Sequence, residues 1–130
     1  MPVSFKKLRV GASYSRNELA ELWGYTSYHA IARGIVTPKD DDKIIIFITE
    51  IKQDSLRQYV DRLEDDILET EGPDDHFAED RSALAESTGE EIHLLHRLVH
   101  HTDFTYKGRL KLLKLDRKAK APSKFTYRVL

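Results

Sequence analysis

Four of the six histidines fall in one short stretch, as His93, His96, His100 and His101. On a helix, spacings of three and four would bring them to one face and suit a metal ion. The surrounding Glu91-Ile92-His93-Leu94-Leu95 alternates like a strand, however, and a strand sends His93 and His96 to opposite faces. The site reading therefore includes no metal and no cofactor. A second set is aromatic and basic. Tyr14, Arg16, Trp23, Tyr25, Tyr28 and Arg33 lie near the start of the chain. Arg97, His100, His101, Phe104, Tyr106, Lys107 and Arg109 lie towards its end, followed by Lys111, Lys114, Arg117, Lys118 and Lys120. Cationic side chains neutralise phosphates, and aromatic faces stack on exposed bases for about 1–3 kcal/mol each.

A third set has the layout of a hydrolytic metal site. Pro38 and Asp40 precede the apolar run Ile44 to Ile48, and Glu50-Ile51-Lys52 follows it. This locally resembles metal-dependent nucleases of the PD-(D/E)xK type, in which two carboxylates hold a divalent ion and a lysine helps to position or activate the attacking water. A solvated strand end would carry the same residues.

The chain has 130 residues, 21 basic and 22 acidic, and no cysteine, which excludes a disulfide framework and thiolate chemistry. The net charge of −1 excludes a uniformly basic nucleic-acid tail, yet the charge is segregated. Residues 1–39 carry +4, residues 40–91 carry −13 and residues 92–130 carry +8. The two terminal segments, folded side by side, would build one basic face. No apolar run has the length of a membrane span or of a signal peptide, so a soluble cytoplasmic protein without a membrane partner is expected.

Several elements must position these groups. Ser15 and Glu18 have capping-box spacing, and Leu19, Leu22 and Trp23 then recur on one face, which predicts a helix over about 16–23 closed by Gly24. Tyr25 to Thr37 reads as a loop leading into a short strand. Lys43 to Thr49 is a near-continuous β-branched and aromatic run, the pattern of a strand buried on both faces. Asp54 starts a predicted helix through Leu56, Tyr59, Val60 and Leu63. Ile67 to Glu71 reads as a strand, and Asp74 to Glu90 as a polar excursion with one helical turn. Glu91 to Arg97, Phe104 to Leu112 and Lys124 to Val129 read as strands. On the middle one, Phe104 and Tyr106 share a face, and Lys107 and Arg109 share the other. The expectation is a single domain over 1–130 of α+β class, a curved and mostly antiparallel sheet or barrel with two or three short helices.

Several phrases in order carry a family likeness: Tyr14-Ser15-Arg16-Asn17-Glu18-Leu19-Ala20, Ile31-Ala32-Arg33-Gly34-Ile35-Val36-Thr37-Pro38, Ile45-Ile46-Phe47-Ile48-Thr49 with Lys52-Gln53 and Tyr59, Glu71-Gly72-Pro73 with Asp75-His76-Phe77 and Glu79-Asp80-Arg81, Glu91-Ile92-His93-Leu94, and His100 to Arg109. Across about residues 14–115 the chain resembles the SRA-like, PUA-fold reader domains of modification-dependent restriction endonucleases, including McrA-type HNH enzymes. The resemblance implies a curved β-barrel that grips double-stranded DNA and takes a flipped, C5-modified cytosine into a pocket. It implies base stacking by Tyr14, Trp23, Tyr28, Phe104 or Tyr106 and reading of the base edge by Asp75 and His76. Backbone contacts fall to Arg16, Arg33, Arg81, Arg97, His100, His101, Lys107 and Arg109. Glu79-Asp80-Arg81 could equally be an internal ion pair. No HNH or helicase motif follows, so cleavage is expected from a separate module or partner. The other readings are the metal-dependent nuclease and a PUA-like module for RNA or a small ligand.

Overall fold

The computed structural model describes residues 5–32, 34–38, 42–51, 61–71, 79–99, 102–116 and 123–130. Along the chain run β1 (Ser13–Tyr14), α1 (Arg16–Leu22), a 3-10 turn (Tyr28–Ile31), β2 (Ile35–Val36) and β3 (Lys43–Ile51). Then follow β4 (Asp61–Glu64), β5 (Ile67–Glu71), α2 (Glu79–Thr88), β6 (Glu91–Val99), β7 (Phe104–Asp116) and β8 (Lys124–Val129). The strands form one sheet in the order β2-β3-β6-β7-β8-β5-β4, with β1 added beside β7. β3 and β6 pair in parallel and the other neighbours are antiparallel. The α+β reading holds in this coarse form, a mostly β structure with two α-helices among the described residues. As described, the sheet is an open path whose ends, β2 and β4, do not pair with each other.

The Ile44 to Ile48 run is buried along its whole length, as its composition requires. Alternation splits it between two cores. Ile45 and Phe47 join Leu8, Leu19, Trp23, Ile31, Leu95, Phe104 and Tyr106 on the face covered by α1 and the 3-10 turn. Ile44, Ile46 and Ile48 join Leu68, Ala85, Ile92, Leu94, Leu110, Phe125 and Tyr127 on the other face. Because β5 and β8 feed that second core, the sheet curls around it, and the Glu50 carboxylate accepts the Leu63 backbone N–H at 2.8 Å to tie β3 to β4.

The helix starts and stops where its chemistry dictates. Ser15 Oγ accepts the Glu18 N–H at 3.0 Å while Glu18 Oε1 accepts the Ser15 N–H at 3.1 Å, a complete capping box. At the other end Gly24 has φ +81, Tyr25 N–H reaches the Ala20 carbonyl and Gly24 N–H the Glu21 carbonyl, which is a Schellman motif. The excursion before Glu91 departs from expectation, since α2 spans ten residues rather than one turn. Its inward positions are Ser82 and Ala85, too small and polar to write an apolar stripe into the sequence. The helix expected from Asp54 lies largely outside the described residues, and its last position, Leu63, is in β4.

β7 corrects the simple alternation. Opposite β6, Leu94 faces Gly108 and Leu95 faces Tyr106, so Lys107 is an extra residue in a bulge, and Gly108 takes φ +96. The bulge flips the parity of the strand. Phe104 and Tyr106 point into the first core and Leu110 into the second, although all are even-numbered. Arg109, opposite His93, returns to the aromatic face instead of sharing the other face with Lys107.

Two glycine substitutions test this. Gly108→Ala should destabilise the fold by about 1–3 kcal/mol in urea denaturation, because the left-handed backbone is strained for any side chain. Gly34→Ala should be neutral or mildly stabilising, by up to about 1 kcal/mol, since the nearest neighbour to an added Cβ is the Phe47 carbonyl at 3.7 Å.

Candidate nucleic-acid interface

At the end of the first core where β3 and β6 finish and β7 begins, two guanidinium groups meet on one ring. Arg16, the first residue of α1, lies with its Cζ 4.9 Å from the Phe104 centroid and 4.5 Å from that of Phe47. Its Nε donates to the Ile31 carbonyl at 3.0 Å, which ties α1 to the last residue of the 3-10 turn. Arg97, on β6, places its Cζ 4.2 Å from the same Phe104 centroid. It donates from Nε to Thr49 Oγ1 at 2.7 Å and from Nη1 to the Thr102 carbonyl at 3.0 Å. Burial, and then the charge of Arg97, pull the Arg16 pKa down to about 10. Burial also lowers that of Arg97. Both remain cationic at neutral pH.

The aromatic candidates divide sharply. Trp23 is 3% exposed, Phe104 1% and Tyr106 6%, so these three build the first core and offer no open face to a base. Phe104 is committed edge-on to Phe47, with centroids 5.1 Å apart. Tyr14 is half-buried against that core and its hydroxyl accepts the Arg9 N–H at 3.0 Å. Tyr28 is the outward one, 41% exposed and tilted against the His29 ring at a centroid distance of 4.2 Å. It sits on the 3-10 turn whose Ile31 carbonyl holds Arg16.

The remaining cationic candidates have other settings. Arg81 Nε donates to Glu90 Oε1 at 2.8 Å and Nη2 reaches the Lys43 carbonyl at 3.4 Å, so it fastens α2 to β3 rather than standing ready for a phosphate. An ion pair was one of its two readings, and among the described side chains Glu90, just past the end of the helix, pairs with it. Lys107 is half-buried in the bulge and Arg109 is exposed. Arg33, Asp75, His76, His100 and His101 lie outside the described residues. No family model and no curated protein matches this chain.

The hydrolytic layout does not assemble from its described members. Asp42 and Glu50 flank opposite ends of β3, about 26 Å apart at ~3.3 Å per residue, so they cannot share one ion. Glu50 is moreover engaged by the Leu63 N–H and by His96 Nε2 at 3.1 Å, while Asp42 pairs with Lys43. Asp40, Asp41 and Lys52 lie outside the described residues. His93 and His96 point to opposite faces, as strand geometry requires.

A buried polar chain sits at the opposite end of the first core. Phe5 stacks flat on the His93 ring, with centroids 3.6 Å apart and planes 2° from parallel. His93 Nδ1 is 2.7 Å from the Tyr106 hydroxyl and Nε2 is 2.9 Å from Glu91 Oε1. Glu91 as a carboxylate can only accept, so the neutral imidazole donates from Nε2 and accepts the Tyr106 proton at Nδ1. Burial lowers the His93 pKa against the raising effect of Glu91. The hydrogen bond from His93 lowers that of Glu91, and burial raises that of Tyr106 to about 12. Each polar atom of this chain is partnered by its neighbour, so the chain satisfies buried polar groups. The Glu91-x-His93 spacing, which puts both on one strand face, was the available clue.

The chain has a pH signature. A histidine with a lowered folded pKa binds fewer protons folded than unfolded, so its contribution is present above about pH 6.5 and is lost as pH falls through 6.5 towards the folded value. The Glu91 contribution is lost below about pH 4.5. Melting temperature should therefore fall between pH 7.5 and 5.5, and His93→Gln should flatten that slope. An unchanged slope would remove His93 as its source.

Proposed function

We propose that this chain is a DNA-binding module that reads modified DNA, a C5-modified cytosine lifted from the stack, for a restriction or defence system whose cleavage activity resides elsewhere. The observation that carries the reading is the exposed Tyr28–His29 stack on the same turn that anchors Arg16. It brings a π-face for a base beside a cation for the adjoining phosphate. The ordered phrases shared with SRA-like readers support it, and so does a sheet that curls like part of a PUA-type barrel. Aromatics locked in the first core leave Tyr28 as the stacking group, while Tyr14 is half-buried against that core. Asp75 and His76 keep their proposed role at the base edge. Segregated charge supports the same reading, because the basic terminal segments supply α1, β6 and β7.

Fluorescence-anisotropy titration of matched duplexes containing cytosine, 5-methylcytosine or 5-hydroxymethylcytosine tests the proposal, with single-stranded RNA as competitor. The expected result is about tenfold tighter binding to one modified duplex and about tenfold weaker binding by Tyr28→Ala, in line with a lost base stack. Equal affinity for all three duplexes would end the modification-reading claim. Efficient displacement by the RNA would instead favour an RNA-binding module.

A further inference from the structure

We infer that the outward face of β7 and β8, together with the stretch that precedes β1, is a cationic strip along which the phosphate backbone of duplex DNA lies. The inference rests on the nucleic-acid reading above and adds a contact surface apart from Tyr28 and Arg16. The strand pairing builds it. β6 occupies one edge of β7, and the first and last strands share the other edge end to end: Tyr14 pairs with Phe104 and Ser13 with Thr105, while Val129 pairs with Leu110. Gly11 N–H reaches the Tyr106 carbonyl at 2.8 Å and Leu130 N–H the Arg109 carbonyl at 2.9 Å, so the two segments meet near Gly108. The segments that carry +4 and +8 in the sequence therefore do fold side by side.

The bulge then decides which charges point outward. Beyond Gly108, Leu110 and Leu112 turn towards the second core, so Arg109 and Lys111 take the opposite face, and Lys111 lies directly across from Arg128 on β8. Opposed residues stand ~5 Å apart between Cβ atoms and alternate residues of a strand ~7 Å, so three cations share one small area of sheet. All three are exposed. Phe5, stacked on His93 and Tyr106, lays the stretch before β1 over the same face, beside the position where Arg109 pairs with His93. Lys6, Lys7 and Arg9 of that stretch are exposed as well. Like charges in neighbouring strands add their potentials, and these run along β7 and across to β8, which matches a row of phosphates rather than one anion. None of them has to stand without a partner for this. Arg128 Nε is 3.2 Å from Asp66 Oδ2, and an exposed pair of that kind is worth ~0–1 kcal/mol, little enough for a phosphate to displace.

The test uses the whole chain and measures duplex affinity against salt for modified and unmodified DNA. A variant carrying Lys7→Gln, Lys111→Gln and Arg128→Gln removes one cation from each of the three elements. It should bind every duplex about tenfold more weakly, lower the salt slope by about three and leave the ratio between modified and unmodified duplexes unchanged. Lys7→Arg, Lys111→Arg and Arg128→Lys together, which keep the charge, should hold the slope and guard against a misfolded glutamine variant. Arg62→Gln with Lys124→Gln, on β4 and at the far end of β8, should also leave it in place. An unchanged slope in the first variant, or an equal fall in the last, would overturn the strip. If that happens while a modified duplex is still preferred, the reader stands and only the strip falls. Duplex binding without preference that is lost in the first variant would support the strip and remove the modification reading. Displacement of the duplex by single-stranded RNA would assign the strip to RNA and overturn the duplex as its occupant.

Discussion

The parallel ladder of β3 and β6 must keep water away from both of its faces, and every other element is arranged around that demand. Ile44 to Ile48 and Ile92 to Leu95 project alternately into two cores. Each fully buried aliphatic side chain is worth about 1.5–3 kcal/mol of transfer free energy, so leaving either face bare would forfeit more than a small domain can spare. One face is covered by α1 with the 3-10 turn. The other is covered partly by the sheet itself, as β8 and β5 curl round, and partly by α2.

This division explains where polar groups could be placed. On the α1 face the Glu91–His93–Tyr106 chain fills one end, and the Arg16–Phe104–Arg97 arrangement fills the other. The first is satisfied within the protein by neutral imidazole and carboxylate. The second brings two guanidinium groups onto one phenyl ring.

Much of this was legible in the sequence wherever one residue pattern has one physical solution. A capping box followed by Leu19 and Leu22 can hardly be anything but a helix start, and five consecutive β-branched or aromatic residues at Ile44 to Ile48 demand a doubly buried strand. Other features were hidden for identifiable reasons. α2 presents Ser82 and Ala85 to the core, so its inner face looks like its outer face. Bulging at Lys107 was masked because Phe104, Tyr106, Leu110 and Leu112 keep a perfect period of two, although the chain changes sides between them. Parallel pairing of β3 with β6 depends on the path of the intervening chain, which alternation does not encode. The aromatic candidates were the least legible, since Trp23, Phe104 and Tyr28 are chemically alike for stacking. Only the position of α1 over the sheet decides that two of them are core and one is outward.

The bond from Leu63 N–H to Glu50 has a consequence for how the molecule behaves in a crowd. β4 ends the strand path, and such an edge offers unpaired backbone donors to any passing strand, the usual starting point for aggregation. Leu63 is the donor at the middle of that edge, and a carboxylate from β3 already occupies it. Arg62 and Glu64 flank it with opposite charges paired to each other. A side chain that ties β3 to β4 thus also occupies a backbone donor that the last strand of the path would otherwise offer to a neighbouring strand.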